Sequence, residues 1–478
     1  PRKVQAVASG ALASGDTVIV NADGTVSVVE ETSTNVTQAV GSPAVFESAA
    51  ISFPAATYDA VAQKVVIAYR DGGNTDRGTA VIGTVSDTSI SFGTPVVFET
   101  GVTTDVSIAY DSNAQKIVVC YKDEGNSSYG TAIVGTVSGT SISFGSSVVF
   151  ESASTFDTSV SYDAAAQKVV IAYGDAGNSS YGTAIVGTIS GTSISFGSAT
   201  VFESAFSLYM RIAYDAAAQK VVIAYRDNGN SSYGTAIVGT ISGTSISFGS
   251  PVVFETGATE FIDVEYDSVA QKVIVAYSDD ANSQYGTAIV GTLSGTNISF
   301  GTAVVFESAR TEACSVSYYS AADKVVISYR DRGNLNAGTL IVGTVSGTNI
   351  SFGTAVVFDS DDAFSISSAY DSNAERVVIA YRNAGNSDYG ESVVFRTAFT
   401  SVSINLTAEN YIGIASNGYA TGQAATINVK GFIDDNQSSL TAGQSYFVQN
   451  NGDLGLTAAD PSVFAGTAVS ATKLIVKG

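Results

Sequence analysis

Seven positions spaced 52 residues apart read Phe53, Asp105, Asp157, Tyr209, Phe261, Ala313 and Ser365. Neighbouring positions add Arg211, Glu260, Asp263, Arg310, Glu312 and Asp362, so carboxylates, arginines and aromatic rings gather in one variable stretch of each repeat. Carboxylates accept hydrogen bonds from hydroxyl groups, and aromatic rings stack on flat apolar faces. The candidate ligand-binding residues are therefore Asp105, Asp157, Tyr209, Arg211, Glu260, Phe261, Asp263 and Glu312, a set suited to a polar glycan. Drift of a scaffold segment explains the same variation, and the sequence leaves the two readings open. Acid–base chemistry would need two placed carboxylates, which Asp105, Asp157, Glu260 and Glu312 could supply. The chain has no histidine, which excludes Ser-His-Asp and Cys-His catalysis and removes a common zinc ligand. A site for an acidic sugar would want several arginines, and the variable stretches offer only Arg211 and Arg310. No catalytic residue is assigned. The expectation is a protein that is not an enzyme and uses no cofactor.

A second series has the form Asp-x-Gly-Asn, at Asp71, Asp123, Asp175, Asp227 and Asp331, with altered copies beginning at Asp279 and Asn383. Oxygen ligands at such spacing are candidates for Ca²⁺, which takes six to eight of them. Each copy offers one carboxylate, however, and the preferred reading is a turn in which Asp caps backbone N–H groups and Gly takes positive φ. The tyrosines Tyr69, Tyr121, Tyr173, Tyr225, Tyr277, Tyr329 and Tyr381 recur in every copy and are read as core, as is the Phe of each VVFE. Cys120 and Cys314 fall in separate repeats, so no disulfide is expected.

These residues need a repeating scaffold to hold them. Tyr58, Tyr110, Tyr162, Tyr214, Tyr266, Tyr318 and Tyr370 head seven copies of one motif in steps of 52 without insertion or deletion. Each copy reads as four strands: SVSYD, KVVIAYRD, TAIVGTVSG and TSISFGSPVVFES, separated by Gly, Asn, Asp and Ser. A four-stranded unit of about fifty residues is the size of a propeller blade. The seventh copy stops near Ala398 without its last strand, and Val36–Ala49 matches that strand in the same frame. The fold predicted is all-β: a seven-bladed β-propeller over 36–399, closed by its N-terminal strand, because closure removes both open sheet edges. Residues 1–35 and 400–478 are expected to form one small β domain, with a hairpin at Asn21-Ala22-Asp23-Gly24.

Composition agrees with this. Lys and Arg number 22 against 44 Asp and Glu, a net charge of −22, which repels nucleic acid. The chain is 45% hydrophobic, too apolar for a disordered acidic tail, yet no run approaches the roughly 18 apolar residues of a membrane span, so no membrane insertion is expected. The opening PRKVQAVASG has no long apolar stretch and does not read as a secretory signal.

The terminal segments GDTVIVNADGTVS, YIGIASNGYATGQAATINVKGFIDDNQSSLTAGQSYFVQNNGDL and AGTAVSATKLIVKG resemble a module of tailed-bacteriophage virion proteins of the tail-fibre and head-decoration type. The repeats, as in YGTAIVGTVSGTSISFGSPVVFES, resemble propeller repeats that accompany this module. The resemblance implies a virion structural protein made in the host cytoplasm. Its terminal module, 1–35 with 400–478, would be anchored to other virion proteins as a homo-oligomer, a trimer by analogy. The propeller would then be displayed as decoration or as an adhesin for a host surface glycan. A soluble glycan-binding lectin is the alternative, and a polysaccharide-degrading glycosidase or lyase a third reading. Sialidase-type propellers show a distant similarity of architecture, since DxGNSSYG lies between the second and third strands and lacks the Trp of their Asp box.

Overall fold

Strand Lys116–Asp123 shows why the repeats fold as they do. Ile117, Val118, Val119, Cys120 and Tyr121 are all fully buried, so this strand is covered on both faces. A continuous β-branched run suits that position better than an alternating one. The computed structural model, which describes residues 2–477, contains strands and short 3₁₀ turns and no α-helix among the described residues.

One unit runs from the inner part of strand Val96–Asp111 through Lys116–Asp123 and Tyr129–Ser138 to Ser141–Phe144 and the start of Val148–Asp163. Ser107 pairs with Cys120 and Asp111 with Lys116; Tyr121 then pairs with Thr131, and Thr131 with Val149. Each 16-residue strand is thus the outer edge of one unit and the innermost strand of the next. Two expectations need correction. SVSYD, read as a strand separate from VVFES, is continuous with it through the variable stretch, as one strand with a break in register. The expected strand TSISFGSPVVFES is two, because Gly249 lies against the Thr296 carbonyl, where a Cβ would come within 2.0 Å, and the chain turns there.

Neighbouring units share their cores. Phe98 stacks 5.3 Å from Tyr121 and 5.6 Å from Phe144, and the Tyr121 hydroxyl donates to Glu99 at 2.9 Å. The same Phe–Tyr–Glu arrangement recurs around the ring, as with Phe306, Tyr329 and Glu307. Closure comes from the chain's first repeat-like segment: Tyr389–Arg396 pairs with Ala39–Val40 and with Ala44–Asp59, matching Phe395 to Val40 and Tyr389 to Ala50. The pairings then return to their starting strand, and the sheet has no free edge along the ring. Cys120 and Cys314 are free and buried.

Residues Thr37–Ala398 make up this ring. The remaining unit, Pro1–Val36 with Phe399–Gly478, is built by both chain ends. In one of its five-stranded sheets Lys3–Val7 pairs with Ala424–Asn428 and Thr17–Val20 with Tyr411–Ala415. A second sheet carries Ser445–Val448, Val463–Ser470 and Lys473–Val476, and its core includes Tyr446, Val463 and Leu474 beside Ile19 and Ile414. The hairpin turn at Asn21–Gly24 forms as read, with Gly24 at φ +81°.

Candidate functional site

Each long strand breaks register once, between Ser52 and Ala55, Thr104 and Ser107, Phe156 and Ser159, Leu208 and Arg211, Glu260 and Asp263, Glu312 and Ser315, and Phe364 and Ser367. Inside every break sits one member of the 52-residue series. Phe53, Asp105, Asp157, Tyr209, Phe261, Ala313 and Ser365 all have φ between 48° and 52°, the left-handed region. None is glycine, and each left-handed L-residue costs about 1 kcal/mol. A bulge of this kind re-aims a side chain. Here all seven bulge residues line one cavity of about 320 Å³, together with Pro54, Arg211, Glu312, Arg330 and Phe364.

The polar groups are held unequally. Asp157 Oδ2 accepts the Tyr209 amide N–H at 3.0 Å, and the Tyr209 and Phe261 rings lie 5.5 Å apart. The Thr158 hydroxyl donates to the Asp105 carbonyl, tying one bulge to the next. The Asp105 carboxyl is pushed up to about 6, first by burial and then by the charge of Asp157, with Lys122 and Arg211 pulling the other way. Arg330, 3% exposed, is gripped by Glu312 and by Asp362 at 2.7 Å and stacks 3.6 Å over the Phe364 ring.

Of the residues expected from sequence, Asp105, Asp157, Tyr209, Arg211, Phe261 and Glu312 meet in this cavity. Asp263 lies deeper, lining the axial channel with Arg211 and Glu265, and its Oδ2 accepts the Val316 N–H at 2.7 Å. Glu260 does not line the cavity: it faces Arg226, at 3.2 Å. In register Glu312 lies opposite Arg330 of its own unit, whereas Glu260 lies opposite Ser278 and pairs instead with Arg226 of the preceding unit, the position that follows the core tyrosine. That following position reads Arg70, Lys122, Gly174, Arg226, Ser278, Arg330 and Arg382, variable like the bulge itself. Its variability was the signal that would have found Arg330. Arginine at this end is accordingly richer than the variable stretches alone indicated.

The Asp-x-Gly-Asn loops are caps. Asp71, Asp123, Asp175 and Asp227 each accept the N–H of the Asn three residues on at 3.1 Å, and Asp331 accepts from Gly333 and Asn334. Among the described residues no three His, Cys, Asp or Glu side chains are grouped to hold a metal ion. The glycine, however, does not take positive φ. That conformation falls on the pair after the Asn, such as Ser127 and Ser128. Glycine is needed for close approach instead: a Cβ on Gly229 would lie 2.4 Å from the Ala205 methyl.

No protein-family model matches the chain, and no curated protein matches it in sequence. In three dimensions it is similar to the BP39L lectin of Burkholderia pseudomallei, with 9% identity, a TM-score of 0.53, and 79% of this chain and 99% of that one covered. A protein of unknown function from Dyadobacter fermentans aligns at 10% identity and TM-score 0.46, over 76% of this chain and 99% of that one. A leech intramolecular trans-sialidase aligns at 10% identity and TM-score 0.43, over 75% and 68%. The ring is a β-propeller. At such identity the likeness concerns the fold alone.

Proposed function

We propose that the propeller binds a carbohydrate in the cavity ringed by its seven bulge residues. One observation carries the reading. The repeats are nearly identical through their strands, yet the residue held left-handed at each bulge and turned into the shared cavity varies from unit to unit, with five residue types among the seven. Strain of this kind is retained where a side chain must be placed. Tyr209, Phe261 and Phe53 offer flat faces for a sugar, and the Asp105 and Asp157 carboxylates accept from its hydroxyls. A lectin of the same fold gives the reading a precedent. The proposal is binding without turnover: among the described residues the carboxylates lining the cavity are Asp105, Asp157 and Glu312, and Glu312 is held by Arg330.

The resemblance of the terminal unit to virion modules supports a second part of the proposal, that this unit anchors the protein to a phage particle, as a symmetric oligomer, and so displays the cavity towards a host surface. Two measurements test the reading. A glycan array should show binding that falls at least about tenfold in the Tyr209→Ala/Phe261→Ala double variant, as aromatic anchors carry most of a small site's energy; an empty array would refute the carbohydrate reading. Mass spectrometry of purified particles should find the chain in stoichiometric amount, and its absence would refute the anchor.

A further inference from the structure

The charges of the cavity do not cancel locally. Arg330 is taken up by Glu312 and Asp362, and Arg310 and Arg332 also reach Glu312, at 2.9 and 3.7 Å. Arg211 donates to the Met210 carbonyl at 2.8 Å and faces Asp263 at the step down into the channel. What remains on the wall is Asp105 beside Asp157, neither of them in an ion pair among the described residues. Asp157 receives the Tyr209 amide, whereas no described group donates a hydrogen bond to the Asp105 carboxylate. The charged groups facing Asp105 are Asp157, Lys122, Arg211 and Glu124, and Lys122 is drawn to Glu124 at 3.5 Å.

A carboxylate set in a cavity wall without a donor has an acceptor left for the ligand. Two carboxylates on the inner strands of neighbouring units repel each other, and a cation placed between them is attracted by both. A hydroxyl would satisfy a lone pair without relieving the repulsion. The order around the ring also favours a cation: Phe53 precedes the acidic pair, and Tyr209 with Phe261 follows it. Aromatic faces attract ammonium groups, more strongly where water is excluded.

We propose that the sugar bound at the bulge ring carries a free, protonated amino group, and that Asp105 and Asp157 receive it. This rests on the carbohydrate reading above and names its ligand class, an amino sugar in place of its N-acetylated or hydroxylated counterpart. N-acetylation removes the charge and adds bulk at the nitrogen.

The test is calorimetric titration of the full chain with short oligomers of glucosamine and of N-acetylglucosamine, on the natural protein and on Asp105→Asn, Asp157→Asn and Tyr209→Ala, each first shown to melt cooperatively. The amine form should bind at least about tenfold more tightly, a difference of about 1.4 kcal/mol. Either Asn variant should erase that preference, and Tyr209→Ala should weaken both forms alike. Equal affinity, or preference for the acetylated form, overturns the proposal while the carbohydrate reading stands. A preference for the amine that survives both Asn variants belongs to the chain's overall negative charge and overturns it too. A lysine dipeptide that outcompetes the amino sugar through the same two aspartates overturns the sugar assignment. Binding of neither oligomer, nor of any glycan on the array, defeats both readings together.

Discussion

Asp105 sets a pH dependence whose sign follows from its surroundings. Burial and Asp157 favour its neutral form, so its folded value of about 6 lies above the ordinary carboxylate value of about 4. Between those values the folded chain binds more protons than the unfolded one, and stability declines as pH rises through the window, then levels off. Asp105→Asn should therefore stabilise the protein at pH 7.5, by about 1–2 kcal/mol after allowance for solvent screening, and leave it unchanged at pH 4. Denaturant melts at the two pH values check this, and equal shifts at both would show that the carboxyl is not perturbed. Glu265, pushed up to about 7 by burial in the channel and by Asp263, should behave likewise in a window that ends higher.

The bulge is the element that makes the site. Its seven left-handed residues cost backbone energy that glycine would avoid, since glycine populates positive φ freely. Ala313 presents only a methyl group to the cavity, so it is the copy where that cost can be measured apart from binding. Ala313→Gly should stabilise the ring by about 0.5–1 kcal/mol, opposite in sign to the loss of about 1 kcal/mol expected from Ala172→Gly in the middle of a regular buried strand. Unfolding midpoints of the two variants decide it, and destabilisation of both would mean that the bulge holds its conformation without strain.

At the scale of the molecule, the seventh unit differs from the others where the ring must close. Phe395 stands where other copies have glycine, and it is fully buried against Val40 in the joint. In those copies a Cβ would strike the Ile of the short outer strand, as Gly135 would meet Ile142 at 2.7 Å. Unit seven lacks that strand and has Ala39–Val40 in its place. Asp87, glycine in the following five copies, receives Arg376 at 3.0 Å and Arg396 at 2.9 Å across the same joint. Departures from the repeat thus collect at the seam and tell the last unit which edge to meet. Phe395→Ala should cost about 3–5 kcal/mol by leaving a cavity in the joint, read as a fall in the unfolding midpoint of the whole ring. Loss of under about 1 kcal/mol would show that hydrogen bonds of the closing strand suffice without the packed ring.

What the sequence determined by itself was whatever repeats. A period of 52 without insertions, four strand patterns per period, and a first segment in frame with a missing last strand specify a closed ring, because identical segments must make identical contacts with their neighbours. The tyrosine core was legible for the same reason, and so was the variable position at the site. The tertiary structure decided where that variability points. A bulge is a mismatch of register between two strands, a property of neither strand alone, and it carries all seven side chains into one cavity. Pairing across the sheet likewise brought Arg330 to Glu312, and packing between neighbouring units took Glu260 to Arg226. Close approach of Ala205, rather than turn geometry, placed the glycine at Gly229. These partners are between 18 and 52 residues apart in the chain, and such contacts exist only once strands have paired and neighbouring units have packed.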